Sequence, residues 1–217
     1  MPDLRKLALS CGLAWLPLSC GVVPSVGVAP ALFATASGVH RFDFEHDTLH
    51  EPPQGFEPRL GRWAVADSPT ALSGAQVLVG AGGDAGLLAV KEAEGVTAAA
   101  GEVAVRVFLG SSGAGLSCDA TSEVAAQVLK LEPRERRIAL YRKTGDSMKL
   151  VDQAPVTAPK GEWVRIGIRC ESHRTVGYVD EKSVVRMGEG LGSFDLALVA
   201  DAGVIAQFDD LAYWASK

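Results

Sequence analysis

Apolar and polar positions alternate with period two along most of this chain. In "GEVAVRVFLG" (101–110), Val103, Val105, Val107 and Leu109 fall on one face and Glu102, Ala104, Arg106 and Phe108 on the other. "EWVRIGIRC" (162–170) sets Val164, Ile166, Ile168 and Cys170 against Trp163, Arg165, Gly167 and Arg169. "SFDLALVA" (193–200) and "VIAQFDDLAYW" (204–214) continue the pattern. This is the signature of half-buried antiparallel strands. Turn signals separate the runs: "GAGGDAG", "SSGAG", "TGDS", "APKGE", "VDEK" and "GEGLG". About a dozen strands, spaced roughly ten residues apart, predict a two-sheet sandwich or barrel. The segment 123–131 could start a helix, with Thr121 or Ser122 as its cap. Its flanking residues favour a strand instead.

The first residues break the pattern. After Arg5 and Lys6 no acidic residue, Lys or Arg occurs before Arg41, and "LALSCGLAWLPL" is a short apolar run. Ala34-Thr35-Ala36 offers a small-residue cleavage site. Residues 1–36 therefore read as a signal peptide, with an uncleaved N-terminal anchor as the alternative, and 37–217 as one sandwich domain. The expected location is outside the cytoplasm, periplasmic or extracellular. Composition supports one strand-rich core: 47% of the 217 residues are hydrophobic, 24 are glycines, and aromatics make up 6%. The net charge is −5, and −6 after removal of residues 1–36, which leaves 25 acids and 19 bases. No broad basic surface follows, so nucleic acid is not an expected partner. Nor is a membrane, beyond the N-terminal segment. Cys11 and Cys20 lie in the leader. Cys118 and Cys170 remain, either bridged or as two buried thiols, without zinc-ligand spacing.

The order of motifs carries a resemblance. "GRWAVADSPTALSGAQVL" (61–78) is followed by "EVAVRVFLGSSGAGL", "LYRKTGDSMKLV", "PKGEWVRIGIRC", "VGYVDEKSVV" and "DLALVADAGVIAQFDDLAYW". In this order the chain resembles a bacterial exported laminin-G-like jelly roll of the concanavalin A-like lectin/glucanase superfamily, in the 3-keto-disaccharide hydrolase-like group. The resemblance covers residues 39 to 214. It implies an all-β, antiparallel two-sheet sandwich in which the last strand returns beside the first, so that "AQFDDLAYW" pairs with "VHRFDFE". Phe42, Phe44 and Phe208 would then turn inward and Asp209 outward. Asp210, with the parity of Phe208, would sit at a strand irregularity and find a hydrogen-bond partner. The family's Asn-Tyr-Tyr stretch and following Arg are replaced here by residues including Ala126, Gln127 and Lys130.

Candidate chemistry is sparse. Asp43, Glu45 and Asp47 in "FDFEHD" are spaced as paired carboxylates on one strand face would be. With Asp209, Asp43 and Glu45 form the enzymatic alternative: acid or base of a glycoside hydrolase acting on sugars. The competing reading of that motif is a solvated polar face. His46 and His50, beside Asp47 and Glu51, read as a solvated loop, with calcium as the one cofactor alternative and none otherwise expected. The preferred reading is a non-catalytic module that binds glycan or cell-envelope polymer. Its ligand-binding candidates are Asp119, Lys130, Arg142, Trp163, Arg165 and Arg169, all placed on one sheet face. A structural envelope protein without a small ligand is the third class.

Overall fold

The computed structural model describes residues 31–33, 38–81, 85–109, 113–120, 125–157 and 161–217. The strands among them are, in chain order, β1 (His40–Phe42), β2 (Phe56–Leu60), β3 (Arg62–Asp67), β4 (Gln76–Ala81), β5 (Gly86–Val90), β6 (Ala98–Leu109), β7 (Ala114–Ala120), β8 (Ala125–Glu132), β9 (Arg137–Thr144), β10 (Ser147–Pro155), β11 (Val164–Glu171), β12 (Arg174–Val179), β13 (Lys182–Met187), β14 (Phe194–Ala200) and β15 (Ile205–Ser216). Short 3-10 turns occur at Ala31–Phe33 and Lys91–Ala93. The predicted strand over 123–131 is β8. The alternative helix cap at Thr121 or Ser122 lies outside the described residues, as do Cys11, Cys20 and all of the leader except Ala31–Phe33.

Two antiparallel sheets stack face to face. One has eight strands, ordered β13-β12-β11-β6-β15-β4-β3, with β1 also paired to β15. The other has seven, ordered β10-β9-β8-β7-β14-β5-β2. The alternation read from the sequence fills the gap between them. Val103, Val105 and Val107 of β6, Ile166 and Ile168 of β11, and Leu196 and Leu198 of β14 are all buried in one cluster. Phe208 is fully buried there. Cys118 of β7 and Cys170 of β11 form a disulfide that ties one sheet to the other through this core.

The terminal strands close as the resemblance implied. His40 pairs with Tyr213, Arg41 with Ala212 and Phe42 with Leu211. β15 runs beside β6 along its length, while its other edge changes partner. Ile205–Phe208 pair with β4, and Leu211–Tyr213 pair with β1. The register of β15 slips between Asp209 and Ala212, and Asp210 takes φ +50°. Asp209–Asp210 is thus a bulge at the point of exchange.

One strand expectation fails. "FDFEHD" is not a continuous strand: β1 ends at Phe42, and Phe44 turns into the core through a left-handed φ of +62°. Asp43, Glu45 and Asp47 therefore do not share a strand face. Each accepts hydrogen bonds from main-chain amides: Asp43 from Glu45, Asp47 from Gln54, and Glu45 from Ala75 and Gln76. Short acidic side chains that bond nearby amides compete with the strand ladder, so the period-two pattern misled here.

Candidate functional site

The bulge in β15 and the loop between β3 and β4 make one unit. Asp209 lies on the outer side of the eight-stranded sheet, paired in register with Ala104. It faces outward as the resemblance implied, yet its carboxylate is fully buried, because the loop lies over it. Asp209 Oδ2 accepts the amides of Leu72 (2.7 Å) and Ser73 (3.0 Å), and Oδ1 accepts the Asp210 amide (2.8 Å). Burial raises its pKa, and the amides of Ser73, Leu72 and Asp210 work against that. The Ser73 hydroxyl donates to Asp210 Oδ1 at 2.7 Å. Asp210 thus has the partner that its place at a strand irregularity called for. Glu45, bonded to Ala75 and Gln76, fixes the far end of the same loop.

Arg165 of β11 stands at the centre of this outer face. Its guanidinium donates to Glu102 Oε1 of β6 (3.3 Å) and to Asp210 Oδ2 of β15 (3.0 Å), so three strands are laced together. The Glu102 side chain is 6% exposed against 31% for Arg165. Burial pushes the Glu102 pKa up, and Arg165 partly offsets this. Trp163 flanks the unit: its indole donates to the Thr70 carbonyl (2.8 Å), and the Arg106 guanidinium lies 5.9 Å from the ring. Trp163 is therefore bound into the loop cover.

Farther along β11, Arg169 (2.8 Å) and Arg174 of β12 (2.7 Å) both donate to Glu171. The two arginines hold the Glu171 pKa below its usual value, Arg174 most strongly. Beside them is a hollow of about 560 Å³, lined by Arg169, Arg174, Tyr178, Ser183 and Arg186 among others. Next to it the small residues Gly167, Ala100 and Ala212 surround Glu102, which lies in register between Gly167 and Ala212, with Tyr178 paired to Gly167 and Trp214 to Ala100. Leu32 and Phe33 pack there in a cluster separate from the main core.

The six ligand-binding candidates do not converge. Trp163, Arg165 and Arg169 share the outer side of the eight-stranded sheet. Asp119 and Lys130 lie on the seven-stranded sheet instead, at the opposite side of the sandwich. Asp119 borders a hollow of about 200 Å³ with Arg59 and Lys143. Burial raises its pKa, opposed by the Ser117 hydroxyl. Lys130 donates to Asp201 (2.8 Å) and stands 4.5 Å over the Tyr141 ring. The Tyr141 hydroxyl donates to Glu132 (2.7 Å), and burial together with that bond pushes its pKa up to about 12. Arg142 sits at the edge between the sheets, bonded to Glu189, near the contact between Gln127 and Thr175. Alternation fixes parity within a strand, but not which sheet the strand joins.

Sequence reasoning missed two parts of the face. Alternation puts Glu102 on the outer face without marking a site; a lone carboxylate on a valine-rich central strand is the available signal. Alternation alone does not single out Gly167. A glycine inside a strand also marks close approach by another group, and here that group is Leu32. Among the described residues, no three or more His, Cys, Asp or Glu come together as metal ligands.

No family model matches the chain, and no curated protein does. Solved structures do. The carbohydrate binding module CBM66 from Bacillus subtilis superposes with a TM-score of 0.60 at 12% identity, covering 74% of this chain and 95% of that one. The GH43 protein BlXynB from Bacillus licheniformis gives 0.59 at 15% identity, over 81% of this chain but 39% of its own. A prokaryotic β-1,3-1,4-glucanase (lichenase) derived from a mouse hindgut metagenome gives 0.53 at 9% identity, over 81% and 98%. At such identities the likeness is one of fold. The chain folds as a concanavalin A-like jelly roll.

Proposed function

We propose that this protein is an exported, non-catalytic module that binds carbohydrate or an envelope polymer through the outer face of its eight-stranded sheet. The observation that carries this reading is the division of labour on that face. Its carboxylates are committed to amides and to arginines, Arg165 for Glu102 and Asp210 and Arg169 with Arg174 for Glu171, while Arg186, Tyr178 and Ser183 border an open hollow. Arginine forks and tyrosine rings suit the hydroxyls and apolar faces of sugars. Structures of similar fold include a carbohydrate binding module and a lichenase, which favours a sugar-related role. The Cys118–Cys170 bridge agrees with export, since disulfides persist in oxidising compartments.

A glycoside hydrolase is the second reading. Glu102 and Asp209 favour it, since both have raised pKa values on one face. Hydrolysis needs two carboxyl groups that reach the substrate. Asp209 is sealed by the loop, and both Glu102 and Asp210 are held by Arg165. Binding and hydrolysis of a polysaccharide panel, measured on the same preparation, test the proposal. Binding without release of reducing ends is expected, and release lost in Glu102→Gln would overturn it.

A further inference from the structure

We propose that the floor formed by Ala100, Gly167 and Ala212 is the sugar-ring subsite of this face, and that Ala31–Phe33 holds it closed until the leader is cut away. The inference rests on the glycan-binding reading and adds where the ring sits and what controls access. Leu32 is fully buried and Phe33 is 4% exposed. They are not part of the main core. They pack with Ala100 and Ala212, against Val39, Tyr178 and Trp214.

The notch is built from small residues around one carboxylate. β11, β6 and β15 are neighbours and each contributes a residue with at most a methyl group, while Glu102 of β6 lies in register between Gly167 and Ala212, and Ala100 between Arg169 and Trp214. A Cβ on Gly167 would stand 2.6 Å from Leu32 Cδ2, so the depth of the notch depends on that glycine. Tyr178 of β12 and Trp214 of β15 stand at the two sides, three strand spacings or about 14 Å apart along the sheet. Arg169 donates to the Leu32 carbonyl at 3.4 Å, where a sugar hydroxyl would accept. With Leu32 and Phe33 gone, the face would present a shallow floor of small residues beside the Glu102 carboxylate, two flanking rings and the Arg169 guanidinium. These are the elements of a small-ligand site. With them in place, a tethered segment competes at the millimolar effective concentration of an intramolecular partner and outcompetes a weak ligand. The predicted cut after Ala36 would release it.

The test uses the full chain and the double substitution Leu32→Ser, Phe33→Ser; for the labelling arm alone, each also carries Ala212→Cys. Labelling of residue 212 by a thiol reagent is read by peptide mass. Retention is measured by affinity electrophoresis in β-1,3-1,4-glucan, xylan, dextran and alginate. Labelling and retention in at least one polymer should both rise at least tenfold in the opened chain. Tyr178→Ala in that background should abolish the gain in retention while labelling stays fast. Unchanged labelling overturns the closure. Equal retention by both chains, with faster labelling, overturns the subsite. Faster labelling with no retention by either chain removes the glycan-binding reading itself, and the subsite with it.

Discussion

The Arg165 guanidinium reaches across β6 to the Asp210 carboxylate, 3.0 Å away. The ion pair joins β11 to the bulge in the last strand and passes over Glu102, which takes the other arm of the fork. An acidic pair that could be read as catalytic is thus part of the seam that closes the sheet.

Removing Asp209 should therefore cost stability and leave any ligand binding elsewhere on the face unchanged. Asp209→Ala strands three main-chain amides, those of Leu72, Ser73 and Asp210. A loss of about 3 kcal/mol is expected, since each buried unsatisfied donor costs about 1–3 kcal/mol and the loop can relax toward water. Urea unfolding of the variant measures it. A loss below about 0.5 kcal/mol, the range of an ordinary surface change, would mean the loop is not held by this residue.

Arg165 and Glu102 should behave as a coupled pair. Arg165→Ala leaves Glu102 buried without its cation, at a cost of about 3 kcal/mol. Combining it with Glu102→Gln should recover part of that loss, because no uncompensated charge remains. A double-mutant cycle by chemical denaturation gives the coupling, and additive losses would argue against it.

The same carboxylate sets a pH dependence. The Glu102 pKa is raised in the folded chain above its ordinary 4.5, chiefly by burial. The folded state thus holds this proton more tightly than the unfolded one. Its contribution is fully present below 4.5 and is lost as pH rises through the raised folded value. Asp209 and Asp119 act in the same direction, from an ordinary 3.8. Glu171, lowered by its arginines, acts the other way: its contribution is present above 4.5 and lost as pH falls through the lowered value. The stability of Glu102→Gln relative to the natural chain should therefore rise with pH across the window just above 4.5. A flat difference would mean that Glu102 titrates as an exposed residue does.

Breaking the Cys118–Cys170 bridge should destabilise the sandwich by about 2–4 kcal/mol, the usual range for closing a long loop. The bridge closes a 52-residue separation and joins the two sheets. Thermal unfolding with and without reductant, alongside Cys118→Ser with Cys170→Ser, checks this. Equal melting temperatures would contradict it.

Much of the fold was legible because side-chain parity repeats every two residues. Val103, Val105, Ile166, Ile168 and Phe208 needed nothing but alternation to be placed inside. The pairing of β1 with β15 came from the order of motifs, which carries topology that alternation does not. The candidate site was less legible. Nothing local in Lys130 or Arg165 tells that β8 and β11 belong to different sheets. Asp43 and Glu45 kept the right spacing for a strand, yet their carboxylates bond the amides of turns. The cover over Asp209 comes from a loop 136 residues away in sequence, a separation at which local patterns carry no information. Leu32 and Phe33 fall within the leader by sequence, because an apolar N-terminal run reads as a targeting segment whatever it touches in the folded chain.

The proposed glycan site requires an outer face that binds sugar while its carboxylates serve the fold. The most direct test exposes the chain cut after Ala36 to a glycan array and, in parallel, assays reducing ends released from the bound polymers. Retention on at least one glycan class, lost in Tyr178→Ala and accompanied by no release, is the predicted result. Release of reducing ends that disappears in Asp210→Asn or Glu102→Gln would contradict it.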